Sequence, residues 1–421
     1  MTDSPLNWDV YLTVASQSDV GMRRSNNQDH LSIALASSLE QWQRKGHVFI
    51  VADGMGAHAA GELASKIAVD QIPHLYAKYD DLPAPEALRK SVADANVEIH
   101  RRGQANEEFH NMGTTCSVLS ILPQGAVVAH VGDSRVYRLR KNRFEQLTFD
   151  HSLVWEMKAS GQLTAEEEAS GKIPKNVITR SLGPYAEAKV DLEGPFPIQV
   201  GDTFLLCSDG LTGMVEDNEL GSILANLPPD EAAKVLTDLA NLRGGPDNIT
   251  CIVARVNHQQ IATVDGGKAT RGGGRKLPVH PVALAVFAAL LLASILFFFF
   301  GTWQTAFVPG VLCLFSLLWI LIQLVRSLAS EDRRLVGDRF GKGPYVRVDC
   351  GSGKQMHTKL KTITEKLLNS VREQKRQVDM KVVQRFIVDA DAAVAESRYS
   401  DSVKAYSRCI SFLMDSLRGG S

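Results

Sequence analysis

Between Tyr11 and Val256 the apolar positions fall into two periods. Short runs rich in Val, Ile, Leu and aromatic residues predict strands at Tyr11–Ala15, Leu31–Leu35, His47–Ala52, Thr115–Leu122, Ala126–Val131, Val136–Leu139, Thr203–Cys207 and Ile249–Val256. Helical spacing predicts Gly61–Lys78 and Ala84–Gly103, with Pro83 and Pro85 at their junction, and a later helix, Asp230–Leu242, that covers a sheet face. Several strands follow one another through short turns, so the pattern predicts an α+β fold with antiparallel pairing rather than a wound parallel sheet.

The pattern changes after His258. Residues 259–278 contain Gly266-Gly267 and Gly272-Gly273-Gly274 and predict a flexible linker between a first domain, 1–258, and the C-terminal segments. Pro281–Phe300 and Ala306–Val325 carry no charge, and each approaches the ~20 residues a helix needs to cross a bilayer. The expectation is a two-helix transmembrane hairpin within 279–326; the alternative is a pair of buried core helices. Arg271, Arg275 and Lys276 precede the first run, and Arg326, Arg333 and Arg334 follow the second, which predicts a multi-pass membrane protein with both ends in the cytoplasm and lipid as a partner. The region 327–421 predicts a short strand at Tyr345–Val348. Helices are expected at Thr358–Val378, Lys381–Glu396 and Asp401–Leu417, a small bundle with a surface for a protein partner. Ala390–Cys409 faintly resembles half of a tetratricopeptide repeat, a unit that cannot bury its own face.

Charge and cysteine usage narrow the classes. Charged residues make up 22% of the chain and the formal net charge is −1, so no global basic field argues for nucleic acid. The six cysteines are scattered without a Cys-x-x-Cys pair, and the N-terminus lacks a secretory pattern, which together predict a reducing compartment.

Candidate chemistry lies in five short segments, each built around an aspartate: Asn27-Gln28-Asp29, Asp53-Gly54-Met55-Gly56, Gly132-Asp133-Ser134-Arg135, Ser208-Asp209-Gly210 and Gly244-Gly245-Pro246-Asp247-Asn248. Asp53 and Asp209 end apolar runs and Asp247 precedes another, so strand ends can bring the three to one rim. Carboxylates converging from remote parts of a chain suit hard divalent cations, which take oxygen ligands. Gly54 lets the backbone turn tightly and offer a carbonyl beside Asp53.

Gly21 to Asp29, Asp53 to Ser65, Gly113-Thr114-Thr115, Gly132 to Arg135, Ser208-Asp209-Gly210 and Gly245 to Thr250 resemble, in order, the motifs of bacterial metal-dependent Ser/Thr protein phosphatases, the type 2C or PPM family. The resemblance covers about Tyr11–Val256. It implies an antiparallel β-sandwich flanked by helices (αββα). It also implies two Mg²⁺ or Mn²⁺ ions held by Asp53, Asp209, Asp247 and the Gly54 carbonyl, with Asp29 orienting metal-bound water. Asp133 corresponds to a contributor to a weaker third ion. Arg24 occupies the place of the family's phosphate-binding arginine, a task its donor fork suits. His58 is the candidate proton donor to the leaving alkoxide; a merely solvated turn histidine is the alternative. Two departures stand out: Ala57 where a second glycine is usual, and Gly213 where many relatives have an aspartate that would serve the third ion.

These residues predict a membrane-tethered phosphatase that removes phosphate from serine or threonine of cytoplasmic proteins, the products of a Ser/Thr kinase, through a metal-activated water. A catalytically silent phosphoprotein-binding module is the competing class. A two-metal esterase acting on small phosphoesters or nucleic acid is disfavoured, because no basic stripe with interleaved aromatics accompanies the acids.

Overall fold

The computed structural model describes residues 8–57, 59–163, 167, 173–174, 177–263, 339–351, 353–374 and 376–418, with isolated positions between 289 and 319. Twelve strands are described, and every strand pairing is antiparallel. They are β1 (Leu12–Asp19), β2 (Asp29–Ala34), β3 (His47–Met55), β4 (Gly113–Thr114), β5 (Cys116–Leu122), β6 (Gly125–Val131), β7 (Arg135–Arg140), β8 (Arg143–Gln146), β9 (Asp191–Phe196), β10 (Thr203–Cys207), β11 (Ile249–Val256) and β12 (Val346–Asp349). One sheet runs β1-β11-β10-β7-β8-β12 and the other β2-β3-β5-β6-β9, with β4 paired to the end of β3.

The two-residue alternation of each strand separates the layers. In β3, Phe49 and Val51 face a core shared with Phe204 and Leu206 of β10 and Ile252 and Ala254 of β11, which lies between the sheets. Val48, Ile50 and Ala52 face the opposite way, onto helices α2 (Ala60–Lys78) and α3 (Ala84–Ala105). Leu205, Cys207, Cys251 and Val253 likewise turn outward, toward α6 (Asp217–Asn226) and α7 (Pro229–Leu242). Side chains of this kind contribute about 1.5–3 kcal/mol each when fully buried, so both faces of each sheet are held by apolar burial. The remaining helices of this region are α1 (Leu39–Lys45), α4 (Leu153–Ala159) and the single turn α5 (Asp209–Thr212). Pro85 and Pro229 sit in the first turns of α3 and α7, where a missing N–H costs nothing. Glu216 and Glu219 close a capping box on α6.

The C-terminal residues build directly onto this sandwich. β12 joins the edge strand β8, and α8 (Lys354–Glu373), α9 (Met380–Ala395) and α10 (Tyr399–Arg418) come after it in the chain. Leu360, Leu367, Tyr406, Ile410 and Leu413 share one core with Leu220, Leu236 and Leu239 of α6 and α7. The stripe expected to form the core of a separate small bundle is buried within the same compact unit as the sandwich, which comprises 1–263 and 340–421.

The membrane expectation requires correction. Among the described residues no helix is long and apolar enough to cross a membrane, and the runs at 281–300 and 306–325 lie almost wholly outside the described residues. A span needs about twenty residues of continuous apolar helix, and uncharged composition alone does not supply one. The transmembrane hairpin, the multi-pass placement, the lipid partner and the orientation drawn from flanking charges are therefore withdrawn.

Candidate active site

Five aspartates meet at one end of the sandwich because the strand register puts them there. Asp29 opens β2 directly opposite Asp53 near the end of β3. Two carboxylates in cross-strand register repel, so the pairing demands compensation. Asp209 follows β10 and Asp247 precedes β11, and those strands are neighbours paired through Cys207 and Cys251. Asp133 lies in the turn between β6 and β7. Asp29 and Asp133 are buried, whereas Asp53, Asp209 and Asp247 are partly open, so the cluster floors a cleft that solvent reaches.

Neutral side chains hold the acids in place. The Asp53 N–H donates to Thr115 Oγ1 (2.9 Å), and its carbonyl accepts from the Thr115 N–H (2.8 Å) and Thr114 Oγ1 (2.9 Å). Thr115 Oγ1 also lies 2.7 Å from Ser134 Oγ, which ties the Asp53 strand to the Asp133 turn. Ser208 Oγ donates to Asp29 Oδ2 (2.7 Å) while accepting the Thr250 N–H (3.0 Å). Asn248 Oδ1 accepts the Gln28 N–H (2.8 Å), and its amide donates to the carbonyls of Val20 (2.9 Å) and Asn26 (3.0 Å), pinning the segment that leads into Asp29. Close packing accounts for two glycines: a Cβ on Gly54 would stand 2.1 Å from the Gly61 carbonyl oxygen, and one on Gly210 would stand 2.0 Å from that of Asn248.

The electrostatics are those of acids waiting for a counter-charge. Burial first, and then repulsion from Asp29, Asp209, Asp133 and Asp247, pushes Asp53 well above the usual carboxylate range. Burial raises Asp29 to about 7 despite the opposing Ser208 hydrogen bond. Asp133 is also raised to about 7, by burial and by Asp209 and Asp150. Asp209 is raised by burial and by Asp247. Asp29 Oδ1, Asp133 Oδ1 and Asp209 Oδ1 are buried with no hydrogen-bond partner. A buried, unpartnered carboxylate oxygen is costly, and a hard cation is the partner that suits it. Among the described residues no three His, Cys, Asp or Glu side chains form a ready-made metal-ligating group.

Arg24 reaches over the cleft from an exposed loop, with Nη2 donating to Asp247 Oδ2 (2.7 Å). Arg23 beside it is exposed. The structure thus gathers Arg24, Asp29, Asp53, Gly54, Asp133, Asp209 and Asp247 at one cleft, while His58 lies outside the described residues. Sequence reasoning gave no role to Asn248, Ser208 or Thr115, although each is a small polar residue in or next to a segment already singled out. Asp150 and His151 buttress the Asp133 turn. Asp150 pairs with Arg135 (2.7 Å), and His151 Nδ1 accepts the Gly132 N–H (3.0 Å), which leaves the proton on Nε2 to donate to Asp191 (2.9 Å).

The protein phosphatase 2C family model matches residues 22–241. The chain belongs to the protein phosphatase 2C family. Its relatives include protein phosphatase PhpP of Streptococcus pneumoniae, 37% identical over 254 residues that cover 59% of this chain and 99% of that protein. A serine/threonine phosphatase stp of Listeria welshimeri is 36% identical over 251 residues, 58% of this chain and 96% of its own length. Among solved structures, the S. agalactiae serine/threonine phosphatase superposes with a TM-score of 0.52 at 34% identity, and Mycobacterium tuberculosis PstP/Ppp with 0.51 at 33%; each covers 59% of this chain and all of the matched chain. This phosphatase 2C is an enzyme of the serine/threonine protein phosphatase class, and the family uses Mg²⁺ or Mn²⁺.

Proposed function

We propose that this phosphatase 2C hydrolyses phosphoserine and phosphothreonine in proteins modified by a Ser/Thr kinase, with Asp53, Asp209, Asp247 and the Gly54 carbonyl holding two Mg²⁺ or Mn²⁺ ions. The observation that carries the proposal is the set of unpartnered, buried carboxylate oxygens beneath Arg24. When bound, the cations supply positive charge and an activated water near neutral pH. Asp53 lies opposite Asp29 in the strand ladder and feels the charges of Asp209 and Asp247, so it would be one of the carboxylates holding the ions. Asp29, fixed by Ser208, orients and accepts protons from water at the cleft floor. Arg24 spends one Nη2 donor on Asp247, and the rest of its fork is directed to phosphate oxygens, which orients the ester for in-line attack. Asp133 is assigned to a weaker third ion.

Phosphate release from a phosphothreonine peptide by the full chain with Mn²⁺ tests the reading. Asp209→Asn, which keeps the shape and removes the charge, is expected to abolish turnover with the unfolding midpoint retained. A wild-type chain that binds the phosphopeptide without releasing phosphate under Mg²⁺ or Mn²⁺ would instead establish a silent binding module.

A further inference from the structure

The family match ends at residue 241, yet the C-terminal residues supply donors to three buried carboxylates of the phosphatase layers. Glu193 on β9 is 3% exposed and accepts from the Gly343 N–H (2.9 Å) and the Tyr345 hydroxyl (2.5 Å). Asp238 on α7 is fully buried and takes Ser411 Oγ (2.8 Å) and Arg418 Nη1 (3.4 Å) from α10, beside Lys234 of its own helix (3.2 Å). Glu219 on α6 is 2% exposed and lies between Arg243 (2.7 Å) and Lys359 of α8 (3.2 Å). Buried acids left without such donors are strongly destabilising, so the C-terminal module is seated in the native state.

Two of these contacts continue into the active-site loops. Arg418 also reaches Asp19 (3.4 Å), whose Oδ1 accepts the Gly21 N–H (2.8 Å) and the Asn241 amide (3.2 Å). The Met22 N–H then donates to the Gly245 carbonyl (2.8 Å), joining the loop of Arg24 to the loop of Asp247. On the other side, Glu219 holds Arg243, the residue that opens the Asp247 loop, and Lys359 of the C-terminal module shares that same carboxylate. The Arg24 loop is therefore tied at Asp19 to Arg418, and the Asp247 loop is tied through Arg243 to a carboxylate that Lys359 also engages.

We propose that residues 340–418 are a built-in positioning element of the phosphatase, with Arg418 and Lys359 as positioning residues that set the Arg24 and Asp247 loops. The inference rests on the roles proposed above for those loops.

The test uses the full chain with Arg418→Ala and Lys359→Ala. Each is expected to raise the KM for a phosphothreonine peptide and the Mn²⁺ half-saturation by roughly fivefold, the scale of one partly exposed charged contact, with kcat near wild type and a lowered unfolding midpoint, because Asp238 or Glu219 loses one of its cations. Arg418→Lys should recover most of the loss, and in an Asp19→Asn background Arg418→Ala should add nothing. A merely structural module would lower the midpoint and the active fraction while leaving KM and half-saturation unchanged. That result, or a full Arg418→Ala effect in the Asp19→Asn background, overturns the proposal. Mn²⁺ affinity measured by calorimetry reads the same loops without turnover, so an inactive wild-type chain would sink the phosphatase reading and leave this one decided separately.

Discussion

Chelating divalent cations should convert the acidic cluster into a pH-dependent weakness. Asp29 has an ordinary value of 3.8 and is held at about 7 in the fold, first by burial and then by Asp209 and Asp247. Between these values the native state binds more protons than the unfolded chain, so the contribution is fully present below about pH 4 and is lost as pH rises through about 7. From pH 5 to about 7, two pH units at about 1.4 kcal/mol each give a loss of about 3 kcal/mol from this one carboxylate. Asp133 is also held at about 7, and burial and its acidic neighbours push Asp53 well above the usual carboxylate range; both titrate together with Asp29, so their losses are shared rather than summed. For a domain of this size, about 3 kcal/mol corresponds to a fall of roughly 6 °C in the midpoint.

The assay is thermal unfolding of the full chain from pH 5 to pH 8 in chelator and again in saturating Mn²⁺. In chelator the midpoint should drop steadily with pH. In Mn²⁺ the slope should vanish or reverse, because the cation binds the ionised carboxylates and competes with their protons. Asp29→Asn should flatten the chelator curve, since the amide keeps an acceptor for Ser208 without the charge. A chelated chain as stable at pH 8 as at pH 5, or equal slopes with and without Mn²⁺, refutes the electrostatic account of the cluster.

Two further substitutions probe the scaffold around the acids. Asn248→Asp keeps the acceptor for the Gln28 N–H but cannot donate to the Val20 and Asn26 carbonyls, so a loss of about 2–4 kcal/mol and most of the turnover is expected in denaturant titration and phosphate-release assays. Gly213 has a right-handed helical backbone (φ −69, ψ −23), and a Cβ there would meet the Asp209 carbonyl oxygen at 3.1 Å, so Gly213→Asp needs only a small shift. It should add a weak site to the Mn²⁺ isotherm, and an unchanged stoichiometry would rule out that position as a third-ion ligand.

Much of the sandwich was legible because its central strands are buried on both faces. Thr203–Cys207 and Ile249–Val256 run with their expected bounds, and His47–Ala52 extends to Met55. The edges were not. β8 carries Arg143 and Glu145, and its Glu145 is buried between Arg138 (2.5 Å) and Arg347 of β12 (3.3 Å), a cross-strand compensation that periodicity does not register. β9 contains Gly194-Pro195, a pair that argues against a strand except at an edge, which is where it lies. β1 and β2 reach further toward the cleft than their apolar residues, because ladder pairing carries Gln17, Ser18, Asp19 and Asp29 along. The C-terminal helices were visible as amphipathic stripes, but a stripe does not name the surface it covers. That information resides in Glu193, Glu219 and Asp238, three acids whose burial appears only once the chain is folded.

The choice of groups around the cluster explains how the site stays available to metal. Ser208, Thr115 and Asn248 are neutral, so they fix strands and lower the cost of ionising Asp29 without cancelling charge. Arg135, the cation nearest the Asp133 turn in sequence, is committed to Asp150 and the Tyr137 hydroxyl instead. Arg24 alone, among the described cations with a recorded bond to the five acids, touches the cluster, and it does so from the exposed rim at Asp247. A cation bonded to Asp29 in the place of the Ser208 hydroxyl would weaken the electrostatic demand that a divalent ion satisfies. The repulsion that weakens the empty cluster thus also contributes to its affinity for metal, and a neutral scaffold is the arrangement that preserves it.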